Sequence, residues 1–400
     1  MPKFWGGSMK STISAILLSV LLSACGSSLA LRNGVPDNLV GKAIVPGMPE
    51  NIRFWGDESP NQLKVIAQEK ISQMRKRFQY TGRPKAINYL AISGGGEDGA
   101  FGAGLLVGWT KAGNRPDFEI VTGISTGSLI APFAFLGPAW DKKLQDAYLS
   151  ISADQVFSAK ILRGLLGGLA ITDNKPLAGK IASFVDEAML KAVAQRHQTG
   201  RRLLIGTTNL DEQRPVIWDM GKIASSGRPE ALALFRRILL ASTAIPGVFP
   251  PTIFKVKAGG ISLDELHVDG GVTTQVFLFP TQINPGPVDR QFGFKPKRRI
   301  YVIRNARVNP EREVVRGGLL KISSRSLSTV IKAQGVGDMI RIYTRARKSK
   351  MDYNLAYIPA KLGLKAKKPF DQKYMKALFA VGFELGKNGY AWKKAPPGIL

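Results

Sequence analysis

Gly123-Ile124-Ser125-Thr126-Gly127 follows the apolar run Phe118-Glu-Ile-Val-Thr122 and precedes a stretch from Leu129 with apolar residues at helical spacing. A serine with glycine two places before it and two after, between a strand and a helix, is the arrangement of a nucleophile elbow. The turn is so tight that side chains at the flanking positions would strike the neighbouring strand and helix. It lifts the hydroxyl clear of the backbone and sets it at a helix N-terminus, where negative charge is favoured. In a chain with 43 glycines the pattern alone is weak, so its neighbourhood has to carry the reading.

Upstream, Ala86-Ile-Asn-Tyr-Leu-Ala-Ile92 reads as a strand running into Ser93-Gly-Gly-Gly96, with a helix from about Asp98 to Ala112. Backbone N–H groups of such a loop can face the oxygen that turns negative in acyl transfer, with no side chains in the way. Gly94, Gly95 and Gly96 are therefore the candidate oxyanion hole, and Gly102 and Gly104 would let the helix pack closely on the sheet. The same residues through Gly99, with Glu119 further on, also match a dinucleotide fingerprint. That fingerprint needs its acid at the end of a strand, and Glu119 stands at the beginning of one.

Strands and helices keep alternating after the elbow. Ala178 to Gln195 and Pro229 to Ser242 read as helices, and Ser323 to Arg345 as a long one. Arg202 to Thr208, Leu266-His-Val268 and Arg299 to Ile303 read as strands. This alternation predicts an α/β fold with a mostly parallel sheet. Asn61 to Tyr80 is an expected helix, and the Gly-, Pro- and Asn-rich residues before it read as a tether with a few ordered patches.

A serine nucleophile needs a base. The chain has two histidines, His197 and His267, both after Ser125, which excludes the orders that place a histidine first. His197 ends a helix and reads as a cap. His267 could be a base with Asp219 or Asp264 behind it, or an ordinary strand residue. Asp269 ends the His267 strand before Gly270 and Gly271, as a functional carboxylate or a turn-forming Asp-Gly would.

The net charge is +28, and residues 1–24 supply only Lys3 and Lys10 of the basic side chains. So strong a bias implies an anionic partner: nucleic acid, an acidic membrane surface or an envelope polymer. Basic residues crowd Lys295-Pro-Lys-Arg-Arg299, Arg341 to Lys350 and Lys361 to Lys376. A nucleic-acid binder would explain this charge but neither the elbow nor the N-terminus. Met9-Lys10 opens a secretory signal whose apolar stretch, Ile13 to Leu22, is too short to span a bilayer as a helix. Leu22-Ser23-Ala24-Cys25-Gly26 resembles the bacterial lipobox, which implies lipidation of Cys25, the chain's one cysteine. Lipidation plus a basic surface would supply the two signals that stable attachment needs. The residue after Cys25 is not Asp, which among bacterial lipoproteins implies the outer membrane, facing the periplasm.

Ser93-Gly-Gly-Gly96 with Gly99, then Gly123-Ile-Ser125-Thr-Gly127, then Asp269-Gly270-Gly271 resemble the three signature blocks of the patatin-like phospholipases, in that family's order. Ala241-Ser-Thr-Ala-Ile-Pro-Gly-Val-Phe-Pro-Pro251 resembles a further block near the acyl groove. The likeness runs from about Lys85 to about Pro359 and implies a three-layer α/β/α fold with a mostly parallel central sheet. It implies a Ser125–Asp269 dyad that hydrolyses lipid acyl esters, with the oxyanion at Gly94 to Gly96 and with neither metal nor cofactor. The expected partners are a phospholipid or other acyl-ester lipid and an anionic membrane surface, with no nucleic acid. A carboxylate is a weak base for serine, so the dyad requires a dry site that raises the aspartate pKa. Phe249, Phe254, Phe277 and Phe279 are candidates for that apolar surround.

The predicted organisation is a signal peptide at 1–24, a tether and extension at 25–84, the phospholipase domain at 85–360 and a basic extension at 361–400. Two features depart from the pattern. Asp98, beside Glu97, stands where the family usually carries Arg or Lys, and Pro132 falls inside the helix after the elbow, where a kink is expected. The alternative reading is a catalytically weak or inactive lipoprotein of the same fold that binds anionic lipid.

Overall fold

The computed structural model describes residues 32–58, 61–156, 173–278, 289–290, 292–315 and 317–399. The expected signal peptide, Cys25 and Phe279 lie outside the described residues. The chain divides into a small unit, Met1–Pro46 with Lys255–Glu265, and a large one, Gly47–Phe254 with Leu266–Leu400.

The small unit is held by backbone bridges between Gly34 and Asp264 and between Ile44 and Lys257. Val256, Ala258 and Leu263 are buried there, with Val35, Leu39 and Ala43 packed on them. Part of the expected tether is thus an ordered piece with its own apolar cluster. Another part, β1 (Arg53–Trp55), forms the edge of the large unit's sheet.

That sheet has the order β1, β5 (Arg214–Asp219), β4 (Arg202–Asn209), β3 (Ile120–Ile124), β2 (Ala86–Ile92), β8 (Lys297–Arg304), β9 (Asp352–Tyr357). β2 pairs in parallel with β3 and β8. β3 pairs in parallel with β4, and β8 with β9. β5 runs antiparallel to β4. The chain leaves the large unit through β6 (Thr252–Ala258) and returns through β7 (Ile261–Asp269), whose last residues pair antiparallel with β4.

Both faces of the central strands are buried, which is why they read as near-continuous apolar runs rather than alternating ones. On one face Ile87, Tyr89, Ile300 and Val302 pack with Met74 of α1 (Asn61–Thr81) and with Met339 and Ile342 of α9 (Leu319–Lys348). On the other, α2 (Gly99–Lys111) lies over β8: a Cβ at Gly102 would stand 3.1 Å from Ile303 Cγ2. The result is the three-layer α/β/α arrangement.

The structure corrects several expectations. The single helix expected at Ala178 to Gln195 is two, α5 (Lys175–Phe184) and α6 (Glu187–Gln198). Val185 is extended between them, and Asp186 caps α6 by accepting the Met189 N–H at 2.8 Å. Gly102 faces the sheet as expected, but Gly104 does not. Its Cβ would lie 2.1 Å from Phe379 O in α10 (Gln372–Lys387). Gly382 answers from α10, where a Cβ would stand 2.3 Å from Phe101 O. The supposed basic extension at 361–400 therefore supplies a helix packed backbone to backbone on α2, inside the large unit. Pro132 lies within α3 (Thr126–Leu136). Among the described residues no helix is long and apolar enough to cross a membrane.

Candidate functional site

The strand register brings the site together. β3 follows β4 in parallel as far as Ile124 opposite Gly206, and there the chain turns at Ser125. The next residue of β4, Thr207, is paired instead with Asp269 at the end of β7. Ser125 and Asp269 thus arrive at one point on β4 from two strands that run in opposite directions.

Ser125 has φ 52° and ψ −127°, a conformation that costs a non-glycine residue about 1–3 kcal/mol. Close packing forces it. A Cβ at Gly123 would lie 2.4 Å from Gly127 O, and one at Gly127 would lie 2.4 Å from Ile92 O. α8 (Ala231–Ser242) and the residues after it hold both partners in place. The Ser242 hydroxyl accepts the Ser125 N–H at 3.0 Å and donates to Gly206 O at 2.7 Å. The Asp269 N–H donates to Ala244 O at 2.9 Å. Sequence reasoning saw this segment only as a family block. A serine closing an apolar helix was the available signal for its clamping role.

Asp269 is 5% exposed. Burial raises its carboxyl to a pKa of about 7, against the pull of the Ser125 hydroxyl and the Gly271 N–H. Oδ1 accepts that N–H at 2.7 Å. The serine hydroxyl is close enough to act on the carboxyl, yet Oδ2 is buried without a well-aligned hydrogen bond among the described residues.

Neither histidine reaches this point. His267 Nδ1 shares a hydrogen bond with the Thr207 hydroxyl at 2.9 Å, and its ring packs edge-on against Phe254. His197 ends α6 as expected, but its side chain stands 3.4 Å from Glu69 and 3.5 Å from Asp219 rather than capping the helix. Asp219 also faces Arg202 at 3.4 Å, and Asp264 pairs with Lys255 in the small unit at 2.7 Å. Glu119 bonds Arg77 at 2.7 Å beside the start of β3, the end of the strand remote from the glycine loop. That removes the dinucleotide reading.

The glycine loop lies against Ser125: a Cβ at Gly94 would be 3.2 Å from Ser125 Cβ. The Gly94 N–H, however, already donates to Gln275 O at 3.1 Å, which leaves Gly95 and Gly96 as the loop's available donors. Glu97 and Asp98 do not line the cleft and are held by α10 and the residue that caps it. Glu97 accepts the Asp371 N–H at 3.2 Å and Asp98 accepts from the Tyr374 hydroxyl at 2.5 Å. Burial raises the first to about 7, so Glu97 is part-protonated near neutrality, and the second to about 6, so Asp98 remains mostly ionised there.

From Gly96 and Ser125 a cleft runs between Leu129, Ile151, Val156, Leu177, Ile245 and Phe249. Of the expected phenylalanines, Phe249 lines it. Phe254 packs on Trp218 and His267, and Phe277 lines a separate small cavity with Gly270 and Ile124.

Residues 90–280 match the family described as patatin-like phospholipase. No curated protein matches the chain. Among solved structures it is similar to VipD from Legionella pneumophila, at 10% identity over 77% of this chain and 67% of that one, with a TM-score of 0.35. It is similar to human GIVD cytosolic phospholipase A2 at 10% identity over 84% and 63%, with a TM-score of 0.37. For ExoU of Pseudomonas aeruginosa in complex with SpcU the values are 14%, 76% and 52%, with a TM-score of 0.28. This chain thus spans about half to two thirds of the solved chains it resembles, and likeness so distant does not carry function. The matched residues contain the glycine loop, the serine elbow and Asp269, and they form a patatin-like phospholipase domain.

Proposed function

We propose that this protein is a membrane-tethered serine lipid acyl hydrolase of the phospholipase A or lysophospholipase type, with Ser125 and Asp269 as its dyad. The observation that carries this reading is a buried carboxyl set beside a strained serine at the head of an apolar cleft, with burial pushing that carboxyl up to about 7. A base poised near neutrality is matched to removing the serine proton at physiological pH.

Ser125 Oγ attacks the acyl carbonyl while Asp269 Oδ2, the oxygen without a settled partner, takes the proton. The Gly95 and Gly96 N–H groups, with that of Thr126 in the first turn of α3, receive the oxyanion. As the tetrahedral intermediate collapses, Asp269 returns the proton to the departing alcohol oxygen. A water, deprotonated by the same carboxylate, then attacks the acyl-enzyme carbonyl, and as the acyl–oxygen bond breaks Asp269 returns the proton to Ser125 Oγ and a fatty acid is freed. The apolar cleft suits an acyl chain, and the net charge of +28 suits an anionic bilayer. A lipid on Cys25 would hold the enzyme at the envelope membrane.

The test is acyl release from vesicles of mixed anionic phospholipid by the chain from Gly26 onward, beside Ser125→Ala and Asp269→Asn. The expected outcome is fatty-acid release that falls by about 10³-fold or more in both variants, each with an unchanged circular dichroism spectrum. An inert parent that binds the vesicles would establish the lipid-binding alternative instead.

A further inference from the structure

The proposed oxyanion loop carries no cation of its own, and the residues that follow it are Glu97 and Asp98. A cation nevertheless lies behind it. Arg304, the last residue of β8, is 3% exposed and directs Nη1 to Gly94 O at 3.4 Å and to Gln275 Oε1 at 3.2 Å. Room for the guanidinium comes from α9: a Cβ at Gly335 would stand 2.7 Å from Arg304 Cζ. Burial lowers the Arg304 pKa to about 10, with Asp338 and Asp98 acting the other way, so the group stays charged at neutral pH.

Its position bears on one peptide. Gly94 O also accepts from the Ser93 hydroxyl at 2.7 Å, so the carbonyl of the Gly94–Gly95 peptide is anchored twice. In a trans peptide C=O and N–H point in opposite directions, so anchoring the carbonyl toward Arg304 turns the Gly95 N–H away from it. A peptide between two glycines has no Cβ to resist flipping, and without anchors its N–H direction would be undefined. A cation on the carbonyl also polarises the amide and strengthens its N–H as a donor.

Gln275 extends the anchor to the other half of the site. Its carbonyl accepts the Gly94 N–H at 3.1 Å, and its side-chain amide donates to Gly271 O at 2.7 Å. Gly271 in turn donates its N–H to Asp269 Oδ1 at 2.7 Å. Asp338 fixes Gln275 by accepting its N–H at 2.7 Å.

We propose that Arg304 is a positioning residue for the oxyanion loop: it locks the Gly94–Gly95 peptide with its N–H turned toward the Ser125 cleft and, through Gln275, ties that loop to the turn bearing Asp269. This inference rests on the hydrolase reading above and deepens it. Arg304 touches no reacting atom.

The experiment compares the full chain with Arg304→Met, Arg304→Lys and Gly335→Ala, reading hydrolysis of 4-nitrophenyl butyrate, labelling by an alkyl fluorophosphonate and thermal unfolding. Arg304→Met is expected to lower kcat by about 10- to 100-fold, somewhat less than loss of an oxyanion donor itself. KM should stay within about threefold, as for an interaction made mainly in the transition state. Fluorophosphonate labelling should slow in parallel, while the acidic limb of the pH profile stays in place, since Arg304 is not among the groups acting on Asp269. Arg304→Lys, keeping the charge, should recover part of the loss. A folded Arg304→Met with kcat within threefold of the parent overturns the inference. Should that variant not fold, Gly335→Ala decides, because it crowds the guanidinium without removing it. A several-fold drop in its kcat supports the inference, and an unchanged kcat overturns it. A parent that neither hydrolyses nor labels refutes the hydrolase reading and this inference together, whereas an active parent with an active Arg304→Met refutes this inference alone.

Discussion

The two ends of the central sheet bury ionisable groups in opposite ways. Beside the start of β3 and β4, Glu69, Lys70, Arg77, Glu119, His197, Arg202 and Asp219 form a network of charge pairs. At the other end Asp269 is acted on by burial, the Ser125 hydroxyl and the Gly271 N–H, with no cation among them. Desolvation penalises the charged form in both places, lowering Lys70 to about 7 and raising Asp269 to about 7. The responses differ. Glu119 resists the shift of Lys70, whose ammonium donates to Gly200 O at 2.8 Å, while nothing charged resists the shift of Asp269. At one end the buried charges are paired; at the other, one carboxyl is left without a cation, as the proposed proton transfer requires.

Asp269→Asn tests that contrast most strongly, because it should move activity and stability in opposite directions. The sign follows from the raised pKa. Below about pH 4 both folded and unfolded chains hold the proton and there is no penalty. Between about 4 and about 7 the unfolded chain gives it up first, so stability falls as pH rises, and above about 7 the full penalty applies. A shift of this size corresponds to about 4 kcal/mol. Urea unfolding at pH 8 should therefore show the variant more stable by up to that amount, with no gain at pH 4. The parent's kcat/KM should rise with pH through about 7 as Asp269 ionises. A parent profile flat from pH 5 to 9 would remove Asp269 as the base.

Arg202→Met attacks the other end. It strips the guanidinium facing Asp219 at 3.4 Å and Glu69 at 3.6 Å, and it should cost about 3–5 kcal/mol by leaving a buried charge uncompensated. The kcat of the folded fraction should not change. A loss of kcat without a loss of stability would show that the two ends are coupled. The smallest effect is expected from Tyr374→Phe, which removes the hydrogen bond to Asp98 and should lower stability by about 1 kcal/mol. Its kcat should stay near the parent's, because Asp98 does not line the cleft; a large drop would mean that the Asp98 charge does reach the oxyanion loop.

Chemistry that is local in sequence is legible in the residues alone. The elbow, the glycine loop and the strand Ala86–Ile92 follow from short patterns, because a turn between a strand and a helix constrains neighbouring residues directly. Asp269 stood out as a carboxylate ahead of two glycines, but its tie to Ser125 came from a family resemblance, since residues so far apart share no local signal. The choice between Asp269 and His267 shows the limit. Both sit on β7, and only the packing shows His267 bonded to Thr207 and set against Phe254, while Asp269 lies beside Ser125.

The sequence by itself determined an α/β chain with a strained serine and a glycine loop, since backbone sterics and hydrophobic patterning act over a few residues. Tertiary structure alone decided that Gly94 gives its N–H to Gln275, that Gly104 faces α10, and that the cation behind the loop comes from Arg304 at the end of β8. Each of these depends on which strands lie side by side and in what register. That register is set by burying both faces of the sheet at once, a condition that the whole chain satisfies together and no short stretch can encode.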